Sequence, residues 1–213
     1  MPATFPSHMG LIAPLWRRWP EHFHVLGLCV GASMPDIVDG IADIFRYHMG
    51  QWYGHSLVGL LFLCWPFGLV LTAGAVAIAR RLVAYSGARC MGDWLRLAGR
   101  SLLLWDRTAA GAGTVRRAVI ITYSVWLGAL SHILFDLISH SEFLLLAPWY
   151  EGPSVLPSWW LVDWWDIPLP GYEHGYPFGP HLIMWFFLSI LGTIMLFLPA
   201  IRARRAKRAC RRR

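Results

Sequence analysis

Charge is what this sequence has least of. Of its 213 residues, 15% are Asp, Glu, Lys or Arg and 56% are hydrophobic, and the mean hydropathy is +0.46. Soluble domains ordinarily carry about a quarter charged residues, so the composition favours a bilayer over water. Cysteine is scarce as well. Cys29 and Cys64 fall inside apolar runs, while Cys90 and Cys210 fall in basic segments. No Cys-x2-Cys spacing exists, which removes a cysteine metal cluster and leaves no disulfide framework. The first twenty residues lack a basic stretch followed by a clean apolar run, so no cleaved signal peptide is expected. No internal repeat is visible, and an inverted-repeat transporter has no support.

What the chain does have is long apolar runs. A helix needs about 20 apolar residues to cross the hydrocarbon core. Residues His55–Ala79 and His181–Ile201 supply two such runs with no Asp, Glu, Lys or Arg. Ala118–Ser139 is a third, interrupted by His132 and Asp136. His22–Phe45 is a fourth, apolar through Met34 and then carrying Pro35, Asp36, Asp39 and Asp43. The predicted fold is therefore all-α: a polytopic membrane bundle of four transmembrane helices. The piece Ser7–Trp16 adds a short N-terminal helix, either re-entrant or interfacial. One membrane-embedded domain covers residues 1–201, and a basic tail covers 202–213.

The net charge of +7 is concentrated. Eight of the 19 basic residues lie in Arg202–Arg213 and eight more between Arg80 and Arg117, both abutting apolar runs. They read as topology determinants rather than a nucleic-acid surface, with some affinity of the tail for anionic lipid. Basic loops stay inside, so residues 80–117 and both termini are expected in the cytoplasm, with a short amphipathic helix over Asp93–Trp105. The 141–180 loop has no Lys or Arg, five acidic residues and five Trp, and should be external, its Trp residues lying at the interface as an aromatic cap.

Ionisable groups at the centre of a membrane helix cost about 2.5–3.5 kcal/mol each on insertion scales, so they need a reason to be there. His132, Asp136 and His140 are spaced i, i+4, i+8 and share one helix face. Asp36, Asp39 and Asp43 are spaced i, i+3, i+7 and share another. Counted at about 1.5 Å per residue from the cytoplasmic ends, Asp36 and His132 both lie about 21 Å up. Asp39, Asp43 and Asp136 lie higher, and His55 and His181 stand at the outer mouths of their helices. A re-entrant N-terminal helix would bring His8 to a similar depth; an interfacial one would leave it remote.

Histidine nitrogen and carboxylate oxygen at this density suit a borderline divalent ion: Zn²⁺ first, Mn²⁺ or Fe²⁺ as alternatives. An open coordination position would supply a nucleophile from water near pH 7, with Asp136 or Asp39 taking the proton. The bland alternative is hydrogen bonding between helices. His22, His24 and His48 read as interfacial or loop residues, His174 as part of a turn over the cavity, and Gly128 and Ser131 as close-packing positions.

Several short motifs carry a resemblance. Phe5-Pro6-Ser7-His8, Gly31-Ala32-Ser33-Met34-Pro35-Asp36, Gly54-His55-Ser56, Gly128-Ala129-Leu130-Ser131-His132 with Asp136 and His140, and Tyr172-Glu173-His174-Gly175 resemble the DUF4184 family of bacterial membrane proteins. That family is similar in the order of its motifs to the inner-membrane proteins described as metal-dependent hydrolases, the DUF457 group. The resemblance implies His8, Asp36, His55, His132 and Asp136 as shared site positions in a bacterial inner-membrane protein. The expected function is hydrolysis of a lipid-linked or amphipathic substrate reached from the outer leaflet, with His8, Asp36, His55, His132, Asp136 and His140 as metal ligands and Asp136 and Asp39 as catalytic groups. Competing readings are a non-catalytic assembly protein using the aromatic loop, and a proton relay, which lacks polar residues continuing to the inner face.

Overall fold

The computed structural model describes residues 7–44, 52–84, 99–100, 103, 113–139, 142–143, 145–149, 152–153, 156–160, 162–168 and 176–210. His48, His140, Glu173, His174, Cys90 and nearly all of the expected Asp93–Trp105 helix lie outside these residues, as does the Asp43 side chain.

Among the described residues, four segments are long and apolar enough to cross a membrane: Val25–Ala42, Leu57–Ala84, Thr114–Leu137 and Pro180–Phe197. Their outward faces are apolar. Phe62, Val70 and Ile190 are exposed, while His8, Asp39, His132 and Asp136 are buried. A bundle polar within and apolar without is one built for lipid, so this is a polytopic all-α membrane protein.

The first span is two helices. α3 (Val25–Gly31) ends at Ala32–Ser33 and α4 (Met34–Ile44) restarts there. Pro35 explains the break, because it has no N–H for the carbonyl four residues back and sits well in the first turn of a new helix. His24 is the N-cap of α3: its Nδ1 accepts from the Gly27 N–H at 2.9 Å, and it is fully buried. His24, expected as an interfacial or loop residue, stands just before the helix and serves as its cap.

The second span starts with two short helices, α5 (Trp52–His55) and α6 (Leu57–Gly59), joined through a π turn (Leu60–Cys64) to α7 (Trp65–Ala84). Ser56 caps α6 by accepting from the Gly59 N–H at 2.9 Å. The π turn stands immediately before Pro66, where a regular turn would crowd the proline ring against the preceding carbonyl. The third span is α8 (Thr114–Ser139) and the fourth is α9 (Pro180–Cys210).

α3 and α8 touch backbone to backbone. A Cβ on Gly31 would overlap the Val125 carbonyl, and one on Gly128 would overlap the Leu28 carbonyl. Small residues allow this approach, as the sequence implied for Gly128.

The N-terminal segment, α1 (Met9–Leu11) and α2 (Ala13–Arg18), takes the inserted placement of the two that were open. Ser7, His8 and Ala13 are buried, and Gly10 and Gly192 meet so closely that a Cβ on either would overlap the opposing chain. Lower down, Arg17 donates to the carbonyls of Met195 at 2.6 Å and Leu196 at 3.3 Å. Pro199 lacks the N–H that would serve the Met195 carbonyl, so the guanidinium replaces a missing helix bond. Arg17→Leu is therefore expected to lower stability by about 1.5–3 kcal/mol, the worth of hydrogen bonds to a charged group, read as a lower thermal midpoint in detergent. An unchanged midpoint would show that this clamp contributes nothing.

The aromatic loop holds two small hairpins that periodicity did not foretell: β1 (Glu142–Phe143) with β2 (Gly152–Pro153), and β3 (Trp165–Ile167) with β4 (Tyr176–Phe178). Trp165 stacks on Phe178 with ring centroids 4.6 Å apart. Trp149, Trp159 and Trp164 remain exposed.

Candidate metal centre

Three spans deliver four polar side chains to one point near the end of the bundle opposite Arg80 and Arg117. Asp36 comes from the first turn of α4, where the positive end of the helix favours a carboxylate. His55 ends α5, and His132 and Asp136 lie one turn apart on α8. One ligand atom from each of the four lies within 4.8 Å of all the others.

The distances have a pattern. His55 Nε2 is 3.3 Å from His132 Nε2, 3.1 Å from Asp136 Oδ2 and 3.6 Å from Asp36 Oδ1. His132 Nε2 is 2.9 Å from Asp136 Oδ2 and 3.4 Å from Asp36 Oδ1. Donors held at about 2.0–2.2 Å from a tetrahedral Zn²⁺ stand about 3.3–3.6 Å apart, so these edges lie close to those of a metal-binding tetrahedron.

Tautomers give an independent test. His132 Nδ1 is 2.7 Å from the Ala32 carbonyl, which can only accept, so the proton sits on Nδ1. His55 Nδ1 donates to Asp39 Oδ2 at 2.6 Å. In the neutral rings both Nε2 atoms are then bare, and they face each other at 3.3 Å. Two lone pairs in a buried space repel unless a cation or a proton lies between them. Rings held through Nδ1 by a carboxylate or carbonyl, with Nε2 presented, are the usual outer-shell arrangement of metal-ligating histidines. The residues present fit a divalent ion.

Local sequence explains the convergence. The α3–α4 break leaves the Ala32 carbonyl beside α8, and the Gly31–Gly128 approach brings His132 within reach of it. Gly54 lets α5 lie on α4, since a Cβ there would overlap the Pro35 carbonyl; its N–H donates to Asp39 Oδ1 at 2.6 Å. Met34, Leu60, Cys64, Ala129 and Ile133 pack together beside these groups and give the site a dry floor.

The chain's other expected site residues fall as follows. Asp39 lies behind His55, with both oxygens engaged by His55 and Gly54. His8 stands beside the four: its ring stacks on His132 with centroids 3.9 Å apart, and its Nε2 is 3.7 Å from Asp136 Oδ1. Among the described residues neither His8 nitrogen has a hydrogen-bond partner, although the residue is 1% exposed. His140 lies outside the described residues.

The sequence model of a family described as a domain of unknown function, DUF4184, matches residues 1–150. The chain belongs to the DUF4184 family. Neither a curated protein nor a solved structure matches it. The DUF4184 match takes in His8, Asp36, Asp39, His55, His132 and Asp136 and stops before α9, so every residue of the cluster lies within the family's own segment.

Beside the cluster runs an apolar hollow of about 790 Å³ between α2 and α8. Leu11, Leu15, Leu127, Ser131 and Phe135 line it, and Trp19 stands at its far end. Phe135 and Ser131 precede Asp136 and His132 in the chain, and the Phe135 ring lies 6.3 Å from that of His8. Sequence reading missed this hollow, because it exists only once the N-terminal helix is inserted.

Proposed function

We propose that the chain is a membrane-embedded, metal-dependent hydrolase acting on a lipid-linked or amphipathic substrate. One observation carries the reading: four donors from three spans stand within 4.8 Å of one another, and both histidines already make their outer-shell bonds. Asp36, His55, His132 and Asp136 hold the ion, with Zn²⁺ the best match to two nitrogens and two carboxylates, and Mn²⁺ or Fe²⁺ the alternatives. Such an ion, when bound with an open position, supplies Lewis acidity and a water-derived nucleophile at neutral pH. His8, buried against Asp136 and His132, lies where it would contact a substrate's polar group. The hollow between α2 and α8 would take the substrate's apolar chain. The order of motifs shared with the DUF457 group supports the hydrolase class.

Positive charge at residues 80–117 and 202–213 supports a bacterial inner-membrane orientation with both termini in the cytoplasm and the site near the outer leaflet. A second reading has a specific observation behind it: the cluster offers four protein ligands, the number that structural zinc sites use.

Elemental analysis together with turnover of a fluorogenic long-chain ester or phosphodiester separates the two. The hydrolase predicts one ion per chain and turnover that chelation abolishes and Zn²⁺ or Mn²⁺ restores. A structural ion predicts the same content, no turnover, and a large drop in thermal midpoint on chelation. Protein devoid of stoichiometric transition metal would remove both.

A further inference from the structure

The opposite end of the bundle carries a second polar feature unrelated to the ion cluster. Between α7 and α8 lies a hollow of about 320 Å³. Leu69, Ala73, Val76 and Ile121 give it apolar walls, and Arg80 and Arg117 close its basic end. Leu69 and Arg80 are eleven residues apart on one helix, which is about 16 Å, or roughly half a hydrocarbon core of about 30 Å. The hollow thus has the reach of one leaflet and a cationic mouth at that leaflet's boundary.

The mouth is cationic. Arg116 and Arg117 occupy the first turn of α8, where the helix dipole is positive and a cation is disfavoured. Arg80 stands near the end of the neighbouring helix, so Arg80 and Arg117 face one hollow from two helix ends. Basic pockets between membrane helices bind anionic headgroups by this arrangement.

We propose that the α7–α8 hollow is a binding site for one anionic phospholipid, its phosphate between Arg80 and Arg117 and one acyl chain laid against Leu69, Ala73 and Val76. Ala73 is exposed along this face, which leaves the groove open to lipid on its side. A free phosphate would satisfy the arginines and leave the apolar walls uncovered. The proposal does not depend on the hydrolase reading.

The full chain in nonionic detergent tests it by thermal unfolding against added phosphatidylglycerol, phosphatidylcholine of the same chains, or inorganic phosphate. Phosphatidylglycerol is expected to raise the midpoint saturably and the other two are not. The double variant Arg80→Gln, Arg117→Gln should weaken that response about 25-fold, from about fivefold per arginine. Ala77→Trp, which fills the groove and keeps both arginines, should also abolish it, while Arg211→Gln with Arg212→Gln in the tail should leave it unchanged. Native mass spectrometry of the wild type should show one retained phosphatidylglycerol per chain, a reading that needs no variant to fold. An equal response to phosphate or to phosphatidylcholine, survival of the response in Ala77→Trp or the arginine double variant, or its loss in the tail variant would each overturn the site.

Discussion

Purified His132→Ala protein is expected to lose its metal. Where the wild type carries one ion per chain, the variant should retain less than about a tenth after dialysis, with affinity reduced by more than the 10–100-fold that follows loss of an outer-shell partner. His132 is the centre of the arrangement: its Nε2 lies within 3.4 Å of donors from Asp36, His55 and Asp136. Removing it leaves three donors and a hole where the ring filled a fully buried site. The Ala32 carbonyl also loses its Nδ1–H partner, at a cost of about 1–3 kcal/mol, so the melt of the variant must be recorded beside its metal content. Asp136→Asn removes that ambiguity, because it preserves shape and leaves the His132–Ala32 bond in place while deleting the charge a cation needs. If both variants melt as folded protein and keep a full complement of metal, the cluster is not the metal site.

The ingredients of this site were visible in the sequence, and their roles were not. Asp and His inside apolar runs are costly, and that cost singles out Asp36, His132 and Asp136 from sequence alone. Helical spacing, however, fixes only a face. Asp36, Asp39 and Asp43 share one, and periodicity cannot say which carboxylate meets the ion. The answer comes from the α3–α4 break at Ala32–Ser33 and the short turn of α5, which aim Asp36 at the two Nε2 atoms and Asp39 at the far side of the His55 ring.

His8 was open between two placements because its position depends on a backbone contact between Gly10 and Gly192, residues too far apart in the chain for local pattern to link. His24 gave no warning of being a cap, since Ser, Thr, Asp and Asn are the residues that signal one. The four spans, by contrast, rest on apolar length alone, and length is what a bilayer reads.

Asp39→Asn decides between the two jobs that Asp39 can hold. Sequence reading made it a candidate proton acceptor; its geometry makes it the group that orients His55. Both oxygens are committed at 2.6 Å, one to the Gly54 N–H and one to His55 Nδ1–H. An asparagine has only one acceptor atom, so its amide nitrogen must face either Gly54 or His55, donor against donor. Facing His55, it would favour the tautomer with the proton on Nε2, the atom aimed at the ion. Metal affinity should therefore fall about 10–100-fold, measured by competition with a chromophoric chelator, while the fold persists. A proton acceptor predicts the reverse: Asn would keep the ion at wild-type affinity and lose turnover alone. The buried, doubly engaged carboxylate favours the first result, because a base must have a free lone pair toward its substrate and Asp39 turns both oxygens to its own chain.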